Sequence, residues 1–214
     1  MSHDLVLYSN SAFSSPYVLS VYAALHEKGL PFEVKTVDLD TGENLTEDFA
    51  RLSMTSRIPA LVAGEFSLSE SSAIIEYLEE AYPYPEFKTV FPSDLQQRAR
   101  ARQIQAWVRS DMGALREERP TTVIYSHKNP QPLSTAGQQA AAKLLHVADT
   151  LIDEDANFLF GAWSIADVDL YVMLNRLCAN GDPVAPKIQR YVDRQSAQPY
   201  IQDWWSLARG IRSI

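Results

Sequence analysis

The spacing of apolar residues changes part-way along the chain, and this change limits the folds that the chain can adopt. Up to residue 83, short apolar runs typical of strands alternate with amphipathic runs typical of helices. Beyond residue 92, apolar residues recur at helical spacing almost throughout. The segment between them, PYPEFKTVFPSD, contains three prolines, which is typical of a linker. We therefore predict a first domain over residues 1–83, a linker over 84–92 and a second domain over 93–214.

The order of the elements indicates the class of each domain. In the first domain, LVLYS, a helical run ending at Gly29 and FEVKTVDL form a βαβ unit, and IPALVAG, EFSLSE and SSAIIEYLEEAY then form ββα. This α/β order is that of the thioredoxin-like fold, although other small α/β folds share it. The second domain is predicted to be all-α, and its first helix carries Ile104, Trp107 and Val108 on one apolar face.

Charge is unevenly distributed along the chain. The net charge is −8, and residues 1–82 carry 13 acidic and 4 basic side chains, whereas the remainder is nearly balanced. Proteins that bind nucleic acids without sequence preference usually have a basic stripe on their surface, so nucleic acid is not expected as a partner. No apolar run in the sequence approaches the ~18 residues that a membrane span needs, so no membrane association is expected.

The start of the chain and its cysteine content suggest a compartment. The first residues lack a basic region, and the apolar stretch Leu5 to Tyr8 is too short for a secretory signal. The single cysteine, Cys178, excludes an intramolecular disulfide and a CxxC pair. We therefore expect a cytoplasmic protein. The four histidines do not have the spacing of metal ligands, so no metal is expected.

The first candidate site lies in the loop SNSAFSSPY, between the first strand and the first helix. Pro16 suits the first helical position and Ser15 the cap, and a structural cap is the simpler interpretation. The functional interpretation is that the helix N-terminus, with its free N–H groups and partial positive charge, favours an anion such as a thiolate. A serine hydroxyl at that point would donate a hydrogen bond to the thiolate.

The segment RIPAL places a proline between an irregular segment and a strand that must still pair. A rigid turn is one explanation. The other is a cis Ile58–Pro59 peptide bond that turns the backbone of Ile58 outward, where its N–H and C=O pair with a bound peptide as an added strand would. The residues alone leave both explanations open.

Glu70 and Ser71, in LSESSAI, lie between a short strand and the start of a helix. Capping of the helix by Ser69 or Ser71 is the structural explanation. The functional explanation is that the hydroxyl and N–H of Ser71 bind a carboxylate, while Glu70 helps to hold an ammonium group. The motif is therefore either the capped start of a helix or the binding site of a ligand that carries a carboxylate and an ammonium group.

The order and spacing of these three motifs resemble the glutathione site of the cytosolic glutathione transferases. The resemblance continues in WSIADVDL, which is similar to the N-capping box of the family, with Ser164 as the cap and Asp167 returning the bond. It extends from Leu5 to about Met173. The runs RARARQIQAWVRSD and REERPT look like the bacterial YfcF-type members, among the theta-, zeta- and omega-like transferases.

The resemblance implies an enzyme that uses glutathione as co-substrate and works as a homodimer. The γ-glutamyl end of glutathione offers the carboxylate and the ammonium group that the Glu70–Ser71 motif fits. By resemblance, Asn44 and Arg57 match positions that contact the glycyl end, where Arg57 would neutralise the carboxylate. Lys35 is a weaker candidate for the same task.

The resemblance leaves the catalytic hydroxyl open between two serines. In theta-like members the serine lies two residues before the proline, which selects Ser14; in omega-like and YfcF-type members the residue directly precedes the proline, which selects Ser15. We favour Ser15. Tyr8 lies within a strand pattern, so we prefer a core or cross-strand role for it. Because no cysteine precedes residue 178, a mixed disulfide with glutathione lacks its nucleophile, which disfavours thioltransferase activity.

The second substrate has weaker candidates, on the first helix of the second domain. Trp107, Asp111, Met112 and Arg116 border its pocket in this interpretation, although core packing also explains Trp107 and Met112. The predicted function is attack of the glutathione thiolate on an electrophilic carbon, with attack on a peroxide oxygen as a further activity. A non-catalytic binding or interaction module on the same fold is the alternative.

Overall fold

The computed structural model describes residues 5–210, which form two compact units. The first unit contains residues 5–90 and 203–210, and the second contains Phe91–Gln202. In the first unit a four-stranded sheet has the strand order β2-β1-β3-β4. The strands are β1 Leu5–Asn10, β2 Phe32–Val37, β3 Ala60–Ala63 and β4 Phe66–Ser69. The helices are α1 Pro16–Lys28, α2 Glu47–Leu52 and α3 Ser71–Ala81, with a short 3-10 helix at Glu43–Leu45.

The sheet confirms the predicted layout of the first domain. β1 and β2 are parallel and joined through α1, while β1 pairs with β3, and β3 with β4, in antiparallel register. Leu5, Leu7 and Ser9 of β1 are buried, as the alternating pattern requires. α1 is buried over most of its length and contacts α3. It ends where predicted, at Gly29, which adopts the left-handed conformation that closes helices.

A small apolar cluster forms where α2 packs on the sheet. Its buried members are Val37, Phe49 and Ala60. Tyr8 packs against this cluster, with its ring edge-on to Phe49 at 5.8 Å between centroids. Tyr8 therefore has the packing role that its strand position predicts, and Ile58 lies against the same cluster.

Most of the predicted linker groups with the first unit, up to Val90. The buried side chain of Lys28 explains this. Its Nζ donates to the carbonyl oxygens of Tyr82 and Lys88, at 2.9 Å each, and lies 2.9 Å from Glu79 Oε2. Glu79 Oε2 also accepts the N–H of Val90 at 3.0 Å. A buried ammonium group needs such acceptors in place of water, so these bonds attach the segment to α1 and α3.

The second unit is all-helical, as predicted. Its helices are α4 Leu95–Ser110, α5 Gly113–Glu118, α6 Thr122–Tyr125, α7 Thr135–Leu151, α8 Ile165–Asn180, α9 Pro186–Ser196 and the first turn of α10 Pro199–Ala208. α8 is buried from Ile165 to Leu177 and contacts α4, α6, α7 and α9, so it forms the centre of the unit. The predicted capping box of Ser164 and Asp167 begins this helix. Within residues 5–210, no helix has the length and apolarity needed to cross a membrane.

The first helix of the second unit, which was predicted to carry Trp107, Asp111, Met112 and Arg116, is interrupted. α4 ends at Ser110, and α5 begins at Gly113. Between them, Asp111 Oδ2 accepts the indole N–H of Trp107 at 2.9 Å and forms an ion pair with Lys143. Glycine is a poor helix former, so the break falls at the point where continuing the helix is least favourable.

The division between the units falls inside α10, which differs from the predicted boundary at the linker. Residues 199–202 group with the second unit and residues 203–208 with the first. Trp204 is fully buried and contacts the rings of Phe13 and Tyr22. The Tyr22 hydroxyl donates to Asp203 Oδ2 at 2.6 Å. These long-range contacts place the end of α10 with the sheet domain, which a change of periodicity along the chain does not reveal.

Candidate functional site

The three predicted motifs leave the sheet at the same end. In the paired strands, Tyr8 lies opposite Ala60, and Ala60 lies opposite Ser69. The serine-containing loop follows β1 shortly after Tyr8, Ile58–Pro59 directly precedes Ala60, and Glu70–Ser71 directly follows Ser69. Because neighbouring strands lie about 4.8 Å apart, the motifs emerge side by side.

The serine turn, residues 10–15, contains both candidate hydroxyls. Ser15 is the N-cap of α1, where its Oγ accepts the N–H of Val18 at 3.3 Å, and Pro16 begins the helix as predicted. Asn10 holds Ser14: Asn10 Nδ2 donates to Ser14 Oγ at 2.9 Å, and Asn10 Oδ1 accepts the Ser14 N–H at 3.3 Å. Each serine oxygen accepts one bond within the turn, and each hydroxyl hydrogen can still be donated.

The Ile58–Pro59 peptide bond is cis, as one of the two explanations of RIPAL predicted, and the pairing of Ile58 with a bound peptide stays a prediction. The loop before it is fixed by two side chains. Ser53 Oγ accepts the N–H of Arg57 at 3.1 Å and donates to the Arg57 carbonyl at 2.7 Å. Asn44 Nδ2 donates to the carbonyl of Ser56 at 2.8 Å. Asn44 therefore supports the backbone that leads into Ile58.

Glu70 has an unusual backbone conformation at the start of α3. Its φ and ψ are 71° and 112°, in a region that residues with a Cβ rarely adopt. Such a conformation costs on the order of 1–2 kcal/mol and is found mainly where a site requires it. Among the described residues, no side chain caps α3. Ser71 is the first helical residue and 5% exposed, while the Glu70 side chain lies at the surface. An external carboxylate fits a helix start of this kind.

Two family models match consecutive parts of the chain. The model described as the glutathione S-transferase N-terminal domain matches residues 14–81, and that of the C-terminal domain matches residues 94–209. The chain belongs to the glutathione S-transferase family. The resemblance in the sequence motifs and the fold of both units agree with this result.

The similarity to individual relatives extends over different fractions of this chain. Glutathione S-transferase theta-1 of Mus musculus is 31% identical over 187 residues, which are 83% of this chain and 77% of that protein. Glutathione S-transferase 1 of Dianthus caryophyllus is 43% identical over 98 residues, which are 46% of this chain and 42% of that protein. A glutathione transferase homolog from Burkholderia, solved with bound glutathione, is 43% identical, with a TM-score of 0.80, and the match covers 98% of this chain and 100% of that one.

The two cations predicted for the glycyl end of glutathione lie at the surface of this family member. Arg57 is exposed and directly precedes Ile58. Lys35 lies on β2 opposite Tyr8, so it is farther from Ile58 across the sheet, and its Nζ is 3.8 Å from Glu33 Oε2. Lys35 lines a groove of about 1020 Å³ along β2. Arg57 is therefore the better placed of the two.

The predicted second-substrate residues lie in different surroundings within the second unit. Met112 is fully buried in its core. Arg116 donates from its guanidinium to the carbonyl of Val108 at 2.9 Å, and Asp111 is paired as described above. Trp107 lines a cleft of about 310 Å³ between α4 and α7, together with Arg100, Gln103, Ile104, Val147 and Leu151. Within the second unit, Met112 thus packs as a core residue, whereas Trp107 borders open space.

Cys178 lies in the last turn of α8, and burial raises the pKa of its thiol to about 11. Its thiolate fraction at neutral pH is therefore small, and it is a weak nucleophile. Across the described part of the chain, no three His, Cys, Asp or Glu side chains are grouped so that they could hold a metal ion.

Asn10 is the residue of this site that sequence reasoning missed. It is the last residue of β1, and its side chain closes a ring of two hydrogen bonds with Ser14. A weak signal was present, because asparagine at the start of a turn often bonds to groups a few residues ahead. Ser9 and Ser11 can form the same kind of bond, though more weakly, so the sequence did not single out Asn10.

Proposed function

We propose that this chain binds glutathione at the end of the sheet where its three motifs emerge, and that it stabilises the glutathione thiolate for attack on an electrophile. The observation that carries the proposal is the register of Tyr8, Ala60 and Ser69, which brings the serine turn, Ile58 and Glu70–Ser71 to one end of the sheet. Membership of the family and the similarity to the Burkholderia structure with bound glutathione support it.

The γ-glutamyl end of glutathione is assigned to the start of α3. Its carboxylate accepts from the hydroxyl and N–H of Ser71, where the helix dipole adds to the attraction. Its ammonium group pairs with the carboxylate of Glu70, and the backbone conformation of Glu70 sets where that carboxylate lies. Among the described α-helices of the first unit, this assignment uses the one whose start has an unusual backbone and no side-chain cap.

The peptide backbone and the glycyl end are assigned to the loop before β3. The N–H and C=O of Ile58 pair with the glutathione backbone, and Pro59 continues the chain into β3. Arg57 neutralises the glycyl carboxylate, and Lys35 adds longer-range attraction. Asn44 acts on this loop through its bond to Ser56. The cations offset the acidic surroundings of residues 1–82 for an anionic ligand.

The thiolate is assigned to the N-terminus of α1. A thiol with an ordinary pKa of about 8.5 is mostly protonated at neutral pH, and lowering that pKa by one unit needs about 1.4 kcal/mol. One charge-assisted hydrogen bond supplies about 1.5–3 kcal/mol, enough for one to two units. We place Ser14 first as the donor, because Asn10 orients its hydroxyl. Ser15, which the sequence favoured, caps α1 and is the second candidate.

The bound thiolate has two reactions in this proposal. In conjugation, sulfur forms a bond to an electrophilic carbon, and the leaving group departs with its electron pair. With a hydroperoxide, sulfur attacks oxygen and the O–O bond breaks; protonation gives the alcohol, and a second glutathione converts the resulting sulfenic acid to glutathione disulfide and water. The protein supplies position and electrostatics in both reactions.

A homodimer is part of the proposal. In the first unit, the side chains of Leu45 and Met54 are 74% and 92% exposed. In the second unit, the cleft beside Trp107 is partly apolar. Contiguous exposed apolar patches mark protein–protein interfaces, and we propose that these groups belong to the face that the second subunit covers. Light scattering coupled to size exclusion measures the mass in solution, and a mass near 24.0 kDa at all concentrations would contradict the homodimer.

The cytoplasm is the proposed compartment, because the chain has a single cysteine and so forms no intramolecular disulfide.

The test of the function combines binding and turnover in matched serine variants. Glutathione is titrated by calorimetry into wild type, Ser14→Ala, Ser15→Gly and Ser126→Ala, and each protein is assayed with an aryl halide and with cumene hydroperoxide. Glycine is tolerated at an N-cap with a loss of only a few tenths of a kcal/mol, so Ser15→Gly removes the hydroxyl while largely sparing α1. Ser126 is exposed in the second unit and serves as the control.

The expected result is that wild type binds and turns over, and that Ser14→Ala loses about 10- to 100-fold in rate below the thiol pKa. Loss in Ser15→Gly alone moves the donor role to Ser15. Loss in neither variant leaves thiolate stabilisation to backbone N–H groups. If wild type does not bind glutathione, the transferase proposal fails and the alternative, a non-catalytic binding or interaction module, takes its place.

A further inference from the structure

The serine turn contacts the end of α10 through one side chain. Phe13, 7% exposed, places its ring 5.5 Å from that of Trp204, at an interplanar angle of 82°. Trp204 is fully buried and also packs against Tyr22 of α1, with 5.1 Å between ring centroids. All of these residues belong to the first unit. The turn that carries both candidate hydroxyls is therefore packed on α10 as well as on the sheet.

The backbone of the turn depends on such a contact. Phe13 has φ of 49°, in the left-handed region that a residue with a large side chain adopts only when its surroundings hold it there. Its N–H bonds to the carbonyl of Asn10 at 3.0 Å, and Asn10 in turn holds Ser14. Burial of the Phe13 ring against Trp204 is the interaction that offsets the unfavourable conformation, because it removes a large apolar surface from water.

Trp204 itself is held in place by its neighbour. The Tyr22 hydroxyl donates to Asp203 Oδ2 at 2.6 Å, which ties α10 to α1 one residue before Trp204. Among the described residues, Trp204 Nε1 has no hydrogen-bond partner, so packing fixes the indole ring. Tyr22 is itself 4% exposed and packs edge-on against Phe32 of β2. The position of the Trp204 ring therefore follows from the Tyr22–Asp203 bond and from aromatic packing.

We propose that Trp204 is a positioning residue for glutathione activation, which fixes the serine turn through Phe13 and thereby the hydroxyl that donates to the thiolate. This proposal rests on the proposed function, because it concerns the same thiolate. Trp204 is fully buried, and its contact with the serine turn is the ring of Phe13. The end of α10 thus takes part in the chemistry of the sheet domain by setting the geometry of residues 10–15.

The proposal predicts a specific pattern of effects. Loss of the Trp204 ring lets Phe13 leave the left-handed conformation, which separates the Asn10–Ser14 pair from the thiolate. Glutathione affinity changes little, because the γ-glutamyl end is bound at α3. The rate below the thiol pKa falls about tenfold for each unit by which that pKa rises. The change therefore appears in kcat rather than in KM for glutathione.

The measurement is the pKa of the bound glutathione thiol, from the ultraviolet absorbance of the thiolate as a function of pH. It is made on the full-length wild type and on Trp204→Ala, Trp204→Phe and Tyr22→Phe, together with the control Tyr191→Phe. Tyr191 is a buried tyrosine of the second unit whose hydroxyl donates to Asp167 Oδ1 at 2.9 Å, so its loss destabilises the protein without affecting the turn. Thermal melts confirm that each variant is folded at the assay temperature.

We expect the bound-thiol pKa to rise by about one unit in Trp204→Ala, by less in Trp204→Phe and Tyr22→Phe, and not at all in Tyr191→Phe. A wild-type pKa in Trp204→Ala overturns the inference, and so does an equal rise in Tyr191→Phe, which would indicate general loosening. If Trp204→Ala does not fold, Phe13→Leu removes the same contact from the other side and must raise the same pKa. A wild type that binds no glutathione, or leaves its thiol pKa unchanged, instead overturns the proposed function and this inference with it.

Discussion

Two helix starts in this protein are built in opposite ways. At the start of α8, Asp167 accepts four hydrogen bonds, from the N–H and hydroxyl of Ser164, the N–H of Leu159 and the hydroxyl of Tyr191. At the start of α3, Glu70 occupies a left-handed backbone conformation, and no side chain among the described residues provides a cap. The first start is satisfied within the protein, whereas the second has no side-chain cap among the described residues, and it is the start that we propose for binding an external anion.

The difference shows how the same helix chemistry serves stability in one place and binding in another. A satisfied cap contributes to folding, whereas an uncapped start with a strained residue lowers stability and is retained where a ligand needs it. α1 lies between these cases, because Ser15 caps it while the serine turn carries the candidate thiolate donor. If this comparison is right, mutations at α8 change stability and those at α3 change affinity.

Asp167→Ala should lower the stability of the protein more than any other substitution considered below. It leaves buried donors of Ser164, Leu159 and Tyr191 without their acceptor, so the free energy of unfolding should fall by about 4 kcal/mol. Urea denaturation followed by circular dichroism measures this. Glutathione affinity, measured by calorimetry where the variant is folded, should stay at the wild-type value. A loss of affinity with intact stability would contradict the assignment of α8 to stability.

The pH dependence of stability tests the same carboxyl group. Burial raises the pKa of Asp167. The hydrogen bonds from Leu159, Tyr191 and Ser164 lower it by less, so the pKa rises from 3.8 to about 6. The native state then binds the proton more tightly than the unfolded state does. The stability that this preference contributes is complete below pH 3.8 and is lost as the pH rises through 6. The shift corresponds to about 3 kcal/mol.

The measurement compares wild type with Asp167→Asn, which does not titrate. Urea titrations give the free energy of unfolding of each protein at a series of pH values from below 3.8 to above 6. The value for wild type minus the value for Asp167→Asn should fall by about 3 kcal/mol over this range as the pH rises. A difference that does not vary with pH would mean that Asp167 has the same pKa in the folded and unfolded states, and that its role is confined to hydrogen bonding.

At α3 the expected effect is on affinity. Ser71→Ala removes the hydroxyl to which we assign the γ-glutamyl carboxylate, so the Kd for glutathione should rise about 10- to 100-fold, as loss of one charge-assisted bond predicts. The free energy of unfolding should change by less than about 1 kcal/mol. Ser72→Ala, one residue later in the same helix, is the matched control and should bind like wild type. Equal losses in both variants would remove the special role of Ser71.

Substitution of Glu70 should change stability least of all. It is also the most specific test, because stability and glutathione affinity are expected to change in opposite directions. Glu70→Gly relieves the left-handed conformation and should raise the free energy of unfolding by about 0.5–1 kcal/mol, while the loss of the carboxylate weakens glutathione binding. Glu70→Ala loses the same carboxylate but keeps the strain, so it should weaken binding without the gain in stability. A Glu70→Gly variant less stable than wild type would show that the Glu70 side chain has a structural role.

Much of the fold and part of the site could be predicted from the sequence. The strands and helices of the first unit, the end of α1 at Gly29, the Ser15–Pro16 start and the Ser164–Asp167 box are all confirmed. The break before Gly113 and the end of the first unit at Val90 were not predicted in that form. In each case a residue distant in the chain contributes. Lys143 pairs with Asp111 at the helix break, and Lys28 binds two carbonyl groups of the segment before Val90.

Features that depend on residues within a few positions of each other could be predicted from the amino-acid order, because periodicity and capping are local. Which of these features lie next to each other follows from the three-dimensional fold. The register of Tyr8, Ala60 and Ser69 brings three separate motifs to one end of the sheet, and the burial of Trp204 joins the end of α10 to the serine turn. Such pairings depend on how backbones far apart in the chain approach each other, and side chains along one segment do not encode that approach on their own.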